Sequence, residues 1–332
     1  MKVIAGIDIG GTKCAVSFAH LAEGEITILS KIKMETDTEC FEHAIQKFIS
    51  IIDVKLKEHR DWELLSIGIS CGGPLDVERG LILSPPNLPK WDRADIFTPL
   101  SNAFKVPVMI QNDADACALA EWTMGAGKGC RNMIFLTFGT GMGAGLILNG
   151  ELYSGSCGLA GEVGHVRLKD DGPYGYGKYG SFEGFCSGGG IAHLGRTKAL
   201  EAIKAGNPPL FCKTESELNS VSGKTIADAL HEGDSVAAEI YDTVGKYLGR
   251  GIAVLIDILN PQMIVIGSIY GRQQEVLDHT MLKVVEEEAL EASRKICKIV
   301  PASLGEQIGD FAAISVGIKA YRDYQKQKVE VR

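Results

Sequence analysis

No run of apolar residues in this chain approaches the roughly 20 needed to cross a bilayer, so no membrane-spanning helix is expected. The opening residues, Met1-Lys2-Val3-Ile4-Ala5-Gly6-Ile7-Asp8, place a carboxylate where an export signal keeps its apolar stretch, and a cytoplasmic location is expected. Positive charge is in short supply: 34 Lys and Arg stand against 42 Asp and Glu, a formal net charge of −8. That balance speaks against a nucleic-acid partner, which needs concentrated Lys and Arg. The nine cysteines are odd in number and scattered, with no CxxC pair. They read as free thiols rather than a disulfide framework. No low-complexity linker interrupts the chain. What remains is globular: 332 residues, 45% hydrophobic and 23% charged, enough for one large domain or two ordinary ones.

Strand-like runs rich in Val, Ile, Ala or Phe cover Lys2–Ile9, Cys14–Leu21 and Glu25–Met34. A helix is predicted over Cys40–His59, where apolar residues recur at three- and four-residue steps from Phe41 to Leu56. Further strands are read at Leu64–Ser70, Val106–Ile110, Asn132–Phe138, Ala144–Leu148, Met263–Ile266 and Cys297–Ala302. Helices are read at Ala114–Met124, Phe185–Ala205, Ser235–Ile258, Gln273–Ser293 and Asp310–Gln327, with a loop over Lys169–Ser187. Strands alternating with helices make the class α/β. Both the first 20 residues and the stretch after Asn132 follow a strand, glycine turn, strand plan. This weak internal repeat suggests two lobes packed around a cleft.

Asp8-Ile9-Gly10-Gly11-Thr12-Lys13 follows a buried strand directly. Glycines let phosphate oxygens approach backbone N–H groups, Thr12 adds a hydroxyl and Lys13 a positive charge. Asp8 is placed to hold Mg²⁺ through water. A plain hairpin turn is the competing reading. A second turn, Gly139-Thr140-Gly141-Met142-Gly143, adds weight, because two such turns suit a polyphosphate held from both sides. Neither is a Walker loop or a GxGxxG loop, and Gly125-Ala126-Gly127-Lys128-Gly129 fails the Walker pattern as well. Asp113, between a strand and a helix, is read either as a general base for phosphoryl transfer or as a helix N-cap. Asn112 beside it suits a sugar hydroxyl. Glu162, His165 and Glu183 lie among glycines, where carboxylates and imidazole can read vicinal hydroxyls. Solvated surface loops are the alternative.

In order along nearly the whole chain, these segments resemble the ROK family of sugar kinases and related repressors. Asp8–Lys13 is similar to the family's first phosphate motif, Pro86-Asn87-Leu88-Pro89-Lys90-Trp91 to its sugar loop, and Asn112-Asp113-Ala114 to its catalytic segment. Phe138–Gly145 with Gly158–His165 resembles its signature block, and Ile264-Val265-Ile266-Gly267 its adenosine strand, with Ser268 where a second glycine is usual. The resemblance implies the actin/hexokinase-like (ribonuclease H-like) α/β fold, two-lobed with a central cleft. One lobe would comprise 1–115 with 310–332 and the other 116–309. It implies ATP and Mg²⁺, a homodimer or larger assembly, and Asp113 as base. It also implies Asn87, Asn112, Glu162, His165 and Glu183 as sugar contacts, and Gly10, Gly11, Thr12, Lys13, Gly139, Thr140, Gly141 and Gly267 at the nucleotide. The expected reaction is ATP with a hexose giving ADP and hexose 6-phosphate, glucose first and N-acetylmannosamine or another aldohexose next. A non-catalytic sugar sensor on the same fold is the alternative, and an actin-like assembly protein a third.

One departure is visible. The family usually carries three cysteines that bind zinc with the signature histidine, but Tyr174, Tyr176 and Ser181 stand in their places. Without thiolates a Cys₃His site cannot form, and the spacing of Cys157 and Cys186 supports no rearranged one; zinc is expected to be absent. The repressors' helix-turn-helix segment is not expected either, since Asp8 lies on the first strand.

Overall fold

The computed structural model describes residues 1–22 and 25–330. Residues 331–332, part of the segment 310–332 expected to complete the first lobe, lie outside the described residues. The chain forms two compact units. One contains residues 1–128, 152–160 and the chain from Leu304 onward; the other contains 129–151 and 161–303.

In the first unit, β1 (Lys2–Ile9), β2 (Lys13–Ala22) and β3 (Glu25–Glu35) form an antiparallel meander. Strands β4 (Glu63–Cys71), β5 (Leu75–Asp76), β6 (Leu81–Ile82), β7 (Ala94–Asp95) and β8 (Val108–Gln111) follow. The main sheet runs β3-β2-β1-β4-β8, with β4 and β8 parallel to β1, while β5, β6 and β7 make a small sheet of their own. Side chains alternate faces along a strand. Ala5, Ile7 and Ile9 thus join the core under α1 (Phe41–Glu58), with Ala44, Ile45, Phe48 and Ile52, while Ile4 packs with Ile314 and Ile318 of the C-terminal helix (Ile308–Glu330) on the other face. Burial on both faces explains why β1 reads as one apolar run. Asp8 lies on the face of Ile4 and Gly6, the one covered by the C-terminal helix. A Cβ at Gly6 would sit 2.9 Å from the Ile314 nitrogen, so glycine is needed there for the helix to dock.

Between the strands lie α2 (Phe97–Phe104), which periodicity did not reveal, and α3 (Asp113–Thr123). Buried Glu121 accepts from the backbone nitrogens of Ala126 (2.8 Å) and Leu304 (2.9 Å), so the 125–129 glycine run is a turn braced by a carboxylate.

The second unit repeats the sheet plan. Strands β9 (Met133–Phe138), β10 (Met142–Leu148), β11 (Glu151–Leu152), β12 (Tyr174–Gly175), β13 (Lys178–Tyr179), β14 (Met263–Ile266) and β15 (Lys298–Pro301) include a main sheet ordered β11-β10-β9-β14-β15. Here too a hairpin, β9–β10, is extended by two parallel strands. Helices α4 (Phe182–Phe185), α5 (Gly188–Lys204), α6 (Gly223–His231), α7 (Ser235–Leu259), α8 (Ile269–Glu288) and α9 (Glu291–Arg294) complete it. Several expectations are corrected. The 169–187 stretch is no plain loop but contains the β12–β13 hairpin. The helix predicted over Phe185–Ala205 starts later, at Gly188, because the Ser187 side chain caps α5 by accepting from the Gly190 nitrogen (2.9 Å). The helix predicted from Gln273 starts at Ile269 and kinks at Gln273 (φ −126°, ψ 23°). Helix α6 was not foreseen, although the Ser222–Thr225 capping box announces it. Among the described residues no helix is long and apolar enough to cross a membrane.

Candidate active site

The first glycine turn is closed by the Gly10 nitrogen donating to the Lys13 carbonyl (3.1 Å). It is held from β3's end by Thr36, whose hydroxyl donates to the Gly10 carbonyl (2.7 Å) and whose nitrogen donates to the Thr12 carbonyl (3.1 Å). Thr36 was not singled out from the sequence. Thr12 and Lys13 are exposed. Gly11 is there for a close approach: a Cβ would lie 2.5 Å from the Cβ of Asn87. Asn87 itself is exposed on a turn anchored by buried Leu88 and Trp91, the latter donating its indole N–H to the Asp37 carbonyl (3.0 Å). The structure therefore brings Asn87 onto the first glycine turn.

Asn112, not Asp113, is the N-cap of α3. Its Oδ1 accepts from the Asp115 nitrogen at 2.8 Å, which satisfies one orphan N–H of the first turn. The cap reading for Asp113 is thereby corrected. Asp113 is the first helical residue, exposed, its Oδ1 accepting from the Ala114 nitrogen (2.9 Å). Buried Asp115 backs the pair: its Oδ2 receives the Asn112 amide (3.3 Å) and the Ser154 hydroxyl (3.4 Å).

Asp8 is close enough to these groups to feel them. Burial, then the Asp310 carboxylate, and to a lesser degree Asp113, push its carboxyl up to about 6, while Lys31 pulls the other way. Lys31 is itself ion-paired with Asp310. Asp8 offers a single half-buried carboxylate, the kind of group through which Mg²⁺, keeping most of its waters, is held in phosphoryl-transfer sites.

In the second unit, the second glycine turn is braced at both sides. The Gly188 nitrogen donates to the Gly139 carbonyl (2.8 Å), and Glu183 Oε2 accepts from the Met142 nitrogen (3.1 Å). Glu183 thus serves the turn as well as facing the 162–165 segment, where a Cβ at Gly164 would lie 3.3 Å from its own Cβ. Gly161 (φ 89°) seats that segment against β10; its carbonyl accepts from the Ala144 nitrogen (2.8 Å), and a Cβ there would be 2.0 Å from the Ala144 oxygen. Glu162 and His165 are both exposed.

Beside Gly139 and Thr140 opens a cavity of about 750 Å³. Its walls are the first turns of three helices: Gly188 and Gly189 of α5, Gly223 and Lys224 of α6, Ile269 and Arg272 of α8. Helix N-termini present unpaired N–H groups and positive potential, which together with two cations suit an anionic ligand. Asp228, Tyr241 and Gln273 line it further out along these helices and α7. None of these was read from the sequence, though Ser187-Gly188-Gly189-Gly190 and Ser222-xx-Thr225 are helix-start signals. Gly267 is buried and does not line the cavity, whereas Ser268 does.

At Tyr174, Tyr176 and Ser181, where the resemblance would put cysteines, the side chains offer no thiolate for a tetrahedral site. Tyr174 and Tyr179 meet edge to face (centroids 5.3 Å), Ser181 is buried as the cap of α4, and Cys186 Sγ donates to the Val244 carbonyl (3.6 Å). Among the described residues no three His, Cys, Asp or Glu are grouped to hold a metal.

Comparison with known proteins gives a consistent answer. The model of the ROK family matches residues 4–317. A glucokinase from Thermotoga maritima is 30% identical over 319 residues, 95% of this chain and 97% of that one. An N-acetylglucosamine repressor from Escherichia coli O157:H7 is also 30% identical, over 82% of this chain and 64% of the repressor. Among solved structures, a ROK family glucokinase from Streptomyces griseus, in complex with glucose and AMPPNP, is 27% identical with a TM-score of 0.71, covering 96% of this chain and 99% of that one. The α/β fold is therefore the actin/hexokinase-like fold of ROK kinases.

Proposed function

The chain belongs to the ROK family, and from that premise we propose that it transfers the terminal phosphoryl group of ATP to a hexose, at the 6-hydroxyl, releasing ADP. Glucose is the first candidate acceptor and N-acetylmannosamine or another aldohexose the next; the glucokinases among its relatives support that order. Phosphoryl transfer asks the protein to position two substrates, neutralise charge and receive one proton. Asp113, exposed at the start of α3, accepts the proton of the sugar hydroxyl, which leaves late in a loose transition state. Asn87, Asn112, Glu162, His165 and Glu183 bind the sugar hydroxyls. The two glycine turns, with Lys13 and Thr12 on one and Thr140 on the other, receive the phosphates, and the cavity beyond Thr140 receives the nucleoside. Mg²⁺, bound through water at Asp8, would supply charge neutralisation at the phosphates.

The observation that carries this reading is the grouping of Asp8 and Asp113 in one electrostatic site, which a mere sugar binder does not need. Mg-ATP turnover against a panel of hexoses, N-acetylhexosamines and fructose tests it, with Asp113→Asn as control. Turnover should fall by roughly 10²–10⁴ in the variant, the usual worth of a general base. An unchanged rate would remove Asp113 from that role.

The similarity to the N-acetylglucosamine repressor favours a second reading, a non-catalytic sugar sensor. Sugar binding without turnover in the same panel would select it. A location in the cytoplasm and a homodimer or larger assembly belong to the kinase reading, and sedimentation equilibrium decides the latter.

A further inference from the structure

The β12–β13 hairpin is joined by a two-residue loop, Tyr176-Gly177, with both residues at positive φ (52° and 76°). A type I′ turn requires this, and its first position is usually Asn, Asp or Gly. A tyrosine there carries a backbone cost of order 1 kcal/mol, so its side chain needs an explanation. Its hydroxyl donates to Oε2 of Glu162, and its ring meets the His165 ring edge to face (centroids 5.0 Å). Across the hairpin, the Lys178 ammonium donates to the His165 carbonyl (2.9 Å) and lies against His165 Nδ1. One hairpin thus grips both residues assigned to the sugar from the 162–165 segment. The base of the hairpin is fixed in turn. Ser181 Oγ donates to the Gly175 carbonyl (2.7 Å) and accepts from the Gly184 nitrogen (3.0 Å), and a Cβ at Gly175 would be 2.6 Å from that same nitrogen.

We infer that this hairpin is a metal-free clamp for sugar recognition, in which Tyr176 orients the Glu162 carboxylate and Lys178 orients the His165 imidazole. The inference rests on the kinase reading for the identity of Glu162 and His165 as sugar contacts. An ammonium at Nδ1 makes that nitrogen the acceptor, which leaves the proton on Nε2 and turns that edge into a hydrogen-bond donor for a hydroxyl. Tyr176 likewise occupies Oε2 and thereby fixes the direction of the other oxygen. Both are positioning residues. Burial, then the Glu162 carboxylate, raises the Tyr176 phenol above its usual range, so it stays a donor at neutral pH.

The test separates positioning from mere folding. Tyr176→Asn installs the residue the turn prefers, and Tyr176→Phe keeps the ring. Both should retain or exceed the wild-type Tm, yet raise KM for D-glucose, or for N-acetyl-D-mannosamine if that is the sugar turned over, by about tenfold or more. KM for ATP should stay unchanged. A sugar KM equal to wild type in both variants overturns the inference. A second readout does not depend on turnover. Nitrogen-15 NMR of the His165 ring should show the Nε2–H tautomer in the wild type and a mixture in Lys178→Met, with Lys178→Arg restoring it. If the wild type turns over no sugar, the kinase reading fails, and the tautomer still decides the clamp: a ring state indifferent to Lys178 overturns it.

Discussion

Ser268 is the residue most visibly out of place. It lies at φ 55°, ψ −108°, a region that side chains avoid and glycine enters freely, just before α8 and on the cavity wall. Its hydroxyl comes within van der Waals reach of where a Cβ on Gly139 would be, 3.4 Å away. Relief of the strain is the expected result of Ser268→Gly. The gain should be about 1 kcal/mol, read as a higher urea midpoint with an unchanged slope. A lower midpoint would mean that the hydroxyl makes a contact worth more than the strain. The thiols show how burial governs reactivity. Cys157 is exposed, Cys186 is buried with its thiol pushed well up by desolvation, and burial raises Cys297 to about 11. The thiolate is the nucleophile, so a raised value means less of it at pH 8. Maleimide mapping at pH 8 should label Cys157, leave Cys186 untouched and label Cys297 slowly. The Cys297 rate should climb about tenfold per pH unit and level off near pH 11.

At the scale of elements, the C-terminal helix lies directly on β4. The Ser66 hydroxyl donates to the Gly317 carbonyl (2.6 Å), and a Cβ on Gly68 would fall 2.1 Å from both the Ala313 oxygen and the Gly317 nitrogen. Those are backbone atoms and cannot swing aside. Gly68→Ala should therefore cost about 3 kcal/mol or more, measured by urea denaturation, because the helix must lift off the sheet. An unchanged midpoint would show that the helix is not seated this closely. The same docking carries the start of that helix to Asp8: a Cβ on Gly309 would be 3.3 Å from Asp8 Oδ2. One pair of glycines thus links packing to the electrostatics of the site.

At the scale of the molecule, two units built on one sheet plan each present a hairpin whose turn is rich in glycine. At the positions where the resemblance to the family would put zinc-binding cysteines, this chain carries Tyr174, Tyr176 and Ser181, and Lys178 lies against His165. Excess EDTA should leave Tm unchanged, and elemental analysis should find zinc far below one atom per chain; a value near one would overturn the assignment.

The sequence by itself determined the class of the fold, the two glycine turns, Asp8, Asn112-Asp113 and the order of the motifs. These are local features: period-2 apolar runs, glycines clustered in tight turns, a polar pair at a helix start. The sequence also shows Tyr174, Tyr176 and Ser181 where the resemblance would put cysteines, since residue type is local information. Tertiary structure alone decided which of Asn112 and Asp113 caps α3, because capping depends on a backbone angle rather than on residue type. It alone gathered Lys224, Tyr241 and Arg272 around one cavity, since residues up to 48 positions apart meet only when helices pack. It alone showed the hairpin at Tyr176: no periodicity marks a two-residue turn whose tyrosine reaches a carboxylate 14 residues away.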